Sequence, residues 1–293
     1  MNFDKYCKMV QCKVSMYLGS DYEVMLRKVP KNNGVVLTGI MAQTKGNSVC
    51  PTLYVDEYYD EKMSADEVEY ISLKLANGLK SVPPEEYPDV SEFMDFEKAN
   101  SRIVYKLINA EANKELLFNT PHRRFHNLAI VYFYMVDTDM YGGRATILIK
   151  NEHMEEWNTD EETLFRYASG NTPRLFKDRL NSISSVLNEL CDIDFEDEVN
   201  MYVLTNEAKM YGAATMLYDD VLKEAYEKIG GNYYILPSSI HELVIVPDNS
   251  DIDQKELLQM VISINHTEVD EEERLADSLY YYNHDTNSVE WIC

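Results

Sequence analysis

Hydrophobic positions at helical spacing open the chain. Phe3, Tyr6, Cys7, Val10, Val14, Tyr17 and Leu18 share one face, and Gly19 follows as a stop. Two strands are expected next, Tyr22 to Val29 and Val35 to Thr44, with Asn33-Gly34 as the turn between them. Val49 to Val55 reads as a short edge strand or loop because Pro51 lacks a ladder donor. Ser64-Ala65-Asp66-Glu67 reads as a capping box for a helix to about Lys80. The middle third predicts a strand over Arg102 to Asn109, a helix through Leu117 and an internal strand at Leu128 to Val136, apolar on both faces. Ala145 to Lys150 reads as a strand. Thr159-Asp160-Glu161-Glu162 caps a helix to about Ser169, and a longer helix runs from about Pro173 to Leu190. The last third predicts a strand at Met201 to Thr205, a helix at Thr215 to Ile229 closed by Gly230-Gly231, and strands at Tyr233 to Leu236 and Glu242 to Val246. A helix at Ile252 to Ile264 and a hairpin of Leu279–Tyr282 with Val289–Ile292 complete it.

Adjacent strands joined by short turns exclude a regular βαβ succession. The expected class is α+β, with mixed or antiparallel sheets packed with helices. The Pro-rich Ser81 to Pro88 and the acidic Asp192 to Glu198 suggest boundaries, giving α+β units at 1–88, 89–195 and 196–293. A helix–strand–strand–helix order recurs at 2–80, 110–169 and 215–264. A degenerate αββα-type repeat and chance alternation both account for it, since no residue-level similarity links the units.

Charge narrows the function. With 51 Asp+Glu against 27 Lys+Arg the formal net charge is -24. Such a surface repels duplex DNA and anionic membranes, and steers towards basic partners. The five cysteines make no CxxC pair and no disulfide framework, which fits a reducing compartment. Lysines and an aspartate interrupt the N-terminus where a signal peptide needs apolar residues, and the longest apolar run is too short to span a membrane. The expectation is a cytoplasmic protein.

Two segments invite a chemical reading. Ser238-Ser239-Ile240-His241-Glu242 sets a nucleophile beside a base, so Ser238, Ser239 and His241 are the candidate catalytic residues. On an extended strand Glu242 points away from His241, and no GxSxG elbow is present. A tight turn after Pro237 is the favoured structural explanation. In Pro121-His122-Arg123-Arg124-Phe125-His126, the residues His122, Arg123, Arg124 and His126 are candidates for an anion or an acidic patch. A helix would put His122 and His126 on one face, but the arginines repel a metal ion and no HExxH register exists. Neutralising carboxylates of the same chain is the favoured role for these cations. Asp137 to Gly142 begins like a calcium loop but has Leu148 where the twelfth-position Glu belongs, so it reads as a turn. Asp192–Glu198 has no metal spacing. Without a P-loop, GxGxxG or zinc spacing, no cofactor and no metal are expected.

Several stretches resemble a family of uncharacterised bacterial proteins from anaerobic Gram-positive bacteria, known only as a domain of unknown function. They include NNGVVLTGI, TLFRYASGNTPRL, LADSLYYYN and, most clearly, YGAATMLYDDVLKEAYEKIGGNYYILPSSIHELVIVP, with LPSSIHELVIVP the most distinctive. The resemblance spans most of the chain and implies no activity, cofactor or catalytic residue. Two functions remain open: a non-catalytic cytoplasmic protein-binding or regulatory protein, and a hydrolase-type enzyme centred on Ser238, Ser239 and His241.

Overall fold

The computed structural model describes residues 1–47, 49–137, 144–191, 200–249 and 252–293. They form two units. The first comprises Met1–Lys31 and Val35–Ser91 with the described ends of Val136–Ala145. The second comprises Asn32–Gly34, Glu92–Met135 and Thr146–Cys293.

In the first unit, helix α1 (Phe3–Leu18) starts where the Asn2 side chain accepts the Lys5 N–H, and ends at Gly19 with φ +82°. Its buried face is Tyr6, Cys7, Val10, Val14 and Leu18. Strands β1 (Tyr22–Pro30) and β2 (Val36–Thr44) pair antiparallel from Tyr22↔Thr44 to Pro30↔Val36. The turn expected at Asn33-Gly34 forms, with positive φ at both residues. β3 (Thr52–Tyr54) is the edge strand beside β2, directly after Pro51. Helix α2 (Ala65–Lys80) opens with the Ser64–Glu67 capping box. There the Ser64 N–H holds the Glu67 carboxyl below its ordinary pKa. One core joins these elements, built from the α1 face, Ile40 and Ala42 of β2, and Val68, Leu75, Ala76 and Leu79 of α2. Fully burying each Val or Leu contributes roughly 1.5–3 kcal/mol.

From Glu92 onwards the chain forms the single turn α3 (Phe96–Ala99), then β4 (Ile103–Asn109), α4 (Lys114–Phe118), β5 (His122–Phe125), β6 (Leu128–Asp137) and β7 (Arg144–Leu148), most of which belong to the second unit. β6 is central, with β4 on one side and β5 on the other, and β7 also pairs with it. Leu128–Tyr134 and Val136 are buried save for the half-buried Met135, which agrees with an unbroken apolar run. Helices α5 (Asn151–Trp157) and α6 (Glu161–Leu175) follow. β4 is an edge strand, and α6 satisfies two of its outward backbone groups. Thr172 Oγ1 accepts the Tyr105 N–H at 3.1 Å, and Asn171 Nδ2 donates to the Ile103 carbonyl at 2.9 Å. These buried polar residues do what a neighbouring strand would do.

The chain continues through β8 (Asp178–Ser182), α7 (Ile183–Cys191), β9 (Tyr202–Asn206), α8 (Val221–Ile229), β10 (Tyr233–Leu236), β11 (Leu243–Pro247), α9 (Gln254–Thr267), β12 (Tyr280–Asn283) and β13 (Ser288–Trp291). The strands make a six-stranded antiparallel sheet in the order β13-β12-β10-β11-β9-β8. Leu257 and Val261 of α9 pack on Leu236, Val246 and Leu279. The Tyr233 hydroxyl donates to the Leu222 carbonyl of α8. The fold is α+β.

Three expectations change. The helix from Pro173 to Leu190 is divided. α6 runs through Pro173 to Leu175, and Asp178–Ser182 is drawn out as β8 by pairing with β9. A ladder partner distant in sequence overrides local helical propensity. The cap of α6 is Asp160 rather than Thr159, its side chain accepting the Thr163 N–H. The helix expected from Thr215 begins at Val221, after a 3-10 turn over Gly212–Leu217. The Asp137–Gly142 turn, apart from Asp137, and the Asp192–Glu198 run lie outside the described residues.

Candidate functional site

Ser238, Ser239 and His241 occupy the connection between β10 and β11. Pro237 to Ile240 pairs there with a segment from elsewhere in the chain. The Ile240 N–H donates to the Glu273 carbonyl at 2.8 Å, the Leu275 N–H to the Ser238 carbonyl at 3.1 Å, and the Ala276 N–H to the Pro237 carbonyl at 3.1 Å. Both serines are buried. Ser239 Oγ accepts the His241 N–H at 3.0 Å, the turn-closing role expected of a serine after proline.

The His241 side chain is 29% exposed. Its Nδ1 accepts the Tyr211 N–H at 3.2 Å, so Nε2 carries the proton of the neutral ring. Nε2 faces Glu273 Oε1 at 3.4 Å. The carboxylate beside His241 therefore comes from a distant segment, and the neighbouring Glu242 is not the partner. The imidazole stacks on the Tyr211 ring, with centroids 5.6 Å apart and planes 17° apart. Tyr211 meets Phe133 edge-on, and Lys106 Nζ stands 4.4 Å over its ring.

The loop presenting Tyr211 is strained. Lys209 and Tyr211 have φ +51° and +54°, left-handed values that cost a non-glycine residue about 1 kcal/mol or more. Asn206 holds the loop by accepting the Met210 N–H and donating to the Met210 carbonyl. Gly212 is required by space. A Cβ there would overlap Thr205 Oγ1 and the His241 carbonyl and would sit 2.9 Å from the Asn206 nitrogen. Thr205 Oγ1 also donates to that carbonyl at 2.7 Å.

The second cluster lies on a hairpin, so the helical pairing of His122 with His126 does not exist. His122 is in β5, and its Nδ1–H donates to the Thr120 carbonyl at 2.8 Å. His126 takes the hairpin corner with φ +53°, and its Nε2–H donates to the Val289 carbonyl of β13 at 2.9 Å. Arg123 makes a two-toothed contact with Glu161, Nε to Oε1 at 3.2 Å and Nη2 to Oε2 at 3.0 Å, and also binds Glu162. Its guanidinium lies 3.9 Å over the Phe165 ring. Hydrogen bonding to Glu161 raises the Arg123 pKa further. The Tyr132 hydroxyl donates to Glu161, and burial followed by that contact raises its pKa. Arg124 is exposed. Among the described residues no three His, Cys, Asp or Glu side chains converge as a metal ion requires.

A model described as Family of unknown function (DUF5688) matches residues 3–284. The chain belongs to that family. No curated protein and no solved structure matches it. Membership covers His241 with all its partners and the Arg123 cluster, but carries no activity to either.

Sequence reasoning found His241 but missed Tyr211, Gly212 and Glu273, the groups that define its surroundings. Tyr211-Gly212 opens the longest family-like stretch, and Glu273 ends a run of three glutamates. Neither feature carries a spacing that links it to His241.

Proposed function

We propose that this protein is a non-catalytic cytoplasmic protein that works by binding another protein. The observation that carries the reading is the engagement of Ser239 and His241 inside the chain. Ser239 Oγ is taken by a backbone N–H, and His241 has a backbone donor on one ring nitrogen and a carboxylate beside the other. A general base needs a ring nitrogen within reach of the proton it removes. The acid excess adds a long-range pull towards basic partners. No described helix is long and apolar enough to cross a membrane.

His241→Gln and Ser239→Ala variants, assayed for thermal stability, ester and amide hydrolysis, and capture of partners from the native cell, test the reading. The expected result is a lowered melting temperature for His241→Gln, with partner capture retained and no hydrolysis by any form. Turnover by the native chain that vanishes in Ser239→Ala at unchanged stability would establish the hydrolase instead.

A further inference from the structure

We propose that the groove between α5 and α6 docks a basic segment of a partner protein, one carrying an apolar side chain among its lysines or arginines. The proposal rests on the protein-binding reading and names the surface. The groove follows the corner where the two helices meet, with Asn151, Met154, Glu155, Asn158, Thr159 and Asp160 around it. The corner is built firmly. Asn158 adopts the left-handed conformation, with its N–H bonded back to α5, the Thr159 N–H donates to the Met154 carbonyl, and Asp160 caps α6. A preset corner lowers the ordering cost of binding.

The groove offers two kinds of contact. Met154 supplies an apolar wall. Beyond the groove, Asn151 Nδ2 donates to the backbone carbonyl of Phe118, a residue 82% exposed at the end of α4. The charged contribution is negative. Glu155 lines the groove and Glu156 follows it; both are exposed, and Glu156 also acts on the nearby His153 ring. The neighbouring cations are occupied: Arg123 by Glu161 and Glu162, Lys150 by Glu152, and Arg166 over the Tyr167 ring. A basic segment with one apolar side chain answers both features. An acidic or purely apolar one leaves the carboxylates opposed or unpaired.

The test uses the full chain carrying Trp291→Phe, so that Trp157, one residue before Asn158, is the sole tryptophan. The probe is a fluorescein-labelled peptide of lysines with a central leucine, compared with an all-lysine peptide of equal charge. Saturable binding read by anisotropy is expected, with a change in Trp157 emission. Glu155→Lys with Glu156→Lys should weaken it tenfold or more. Phe118→Ser should weaken the leucine peptide several-fold and leave the all-lysine peptide unchanged. Glu155, Glu156 and Phe118 are all exposed, so folding should be retained. Glu224→Lys with Glu227→Lys on α8 makes the same change in net charge and should cost under twofold. Equal weakening by the α8 pair, indifference to Phe118→Ser, or absence of saturable binding would each overturn the groove. If the groove fails while partner capture from cells persists, protein binding stands on another surface. If capture fails as well, both readings fall.

Discussion

The His241 clasp and the Arg123 cluster are both polar groupings held inside one chain, yet they are built on opposite principles. Arg123 is held by charge. Its partners are carboxylates in the first turn of α6, and removing one leaves the others able to adjust within a half-solvated site. His241 is held by shape. Its ring is fixed by a backbone N–H from a left-handed residue, by a stacked tyrosine, and by a carbonyl pressed against a glycine that has no room for a methyl group. The contrast teaches that charged clusters absorb change gradually, whereas close backbone approaches do not.

Replacing Gly212 by Ala should have the largest effect. The new Cβ collides with backbone and with Thr205, neither of which can swing away, so a loss of about 3 kcal/mol is expected in urea unfolding. Gly170→Ala, on α6 with open space around it, should be neutral or stabilising by about 0.5–1 kcal/mol. Equal effects at the two glycines would remove the shape argument.

Arg123→Met comes next, at about 1–2 kcal/mol, between the values for exposed and buried pairs because the two side chains are 32% and 28% exposed. A double-mutant cycle with Glu161→Gln should show coupling, and a raised salt concentration should shrink it. Coupling unchanged by salt would mean that Arg123 acts through Phe165 packing instead.

His241→Gln should cost about 1–2 kcal/mol through the stranded Tyr211 N–H. Glu273→Gln should cost less than 1 kcal/mol, because that carboxylate is 47% exposed. The reverse order would make the clasp electrostatic and erase its difference from the Arg123 site.

The smallest effect expected is a pH dependence at His153, which belongs to neither cluster and so calibrates both. Its ring accepts the Lys150 N–H and packs edge-on against Phe93, and burial lowers its pKa. The unfolded chain therefore binds the proton first. The stabilisation is complete above the ordinary imidazole value of about 6.5 and declines as the pH falls through and below it. His153→Phe should flatten that part of the stability profile.

Much of the fold was legible locally. Ser64, Gly19 and Asn33-Gly34 act on backbone groups within a few residues, and each does in the structure what its chemistry predicts. Leu128–Val136 was legible because an unbroken apolar run needs cover on both faces. β8 was not. Asp178–Ser182 has no strong strand pattern of its own and is extended because β9 offers a ladder. The 3-10 turn before α8 was equally hidden, since it depends on Gly212 fitting under the His241 carbonyl.

The candidate site divides along the same line. From sequence came the residues with chemical potential: a histidine beside serines, and arginines gathered in an acidic chain. Their partners came only from tertiary structure. Glu273 rather than Glu242 faces His241, and Glu161 with Glu162 takes up Arg123. Sequence by itself determined the α+β class, the Ser64–Glu67 capping box, the Asn33-Gly34 turn, the apolar interior of β6 and the acidic excess, because these follow from composition, periodicity and contacts a few residues long. Tertiary structure alone decided which groups occupy the imidazole and the guanidinium, because those contacts join segments tens of residues apart and depend on where the sheets bring the chain back to itself.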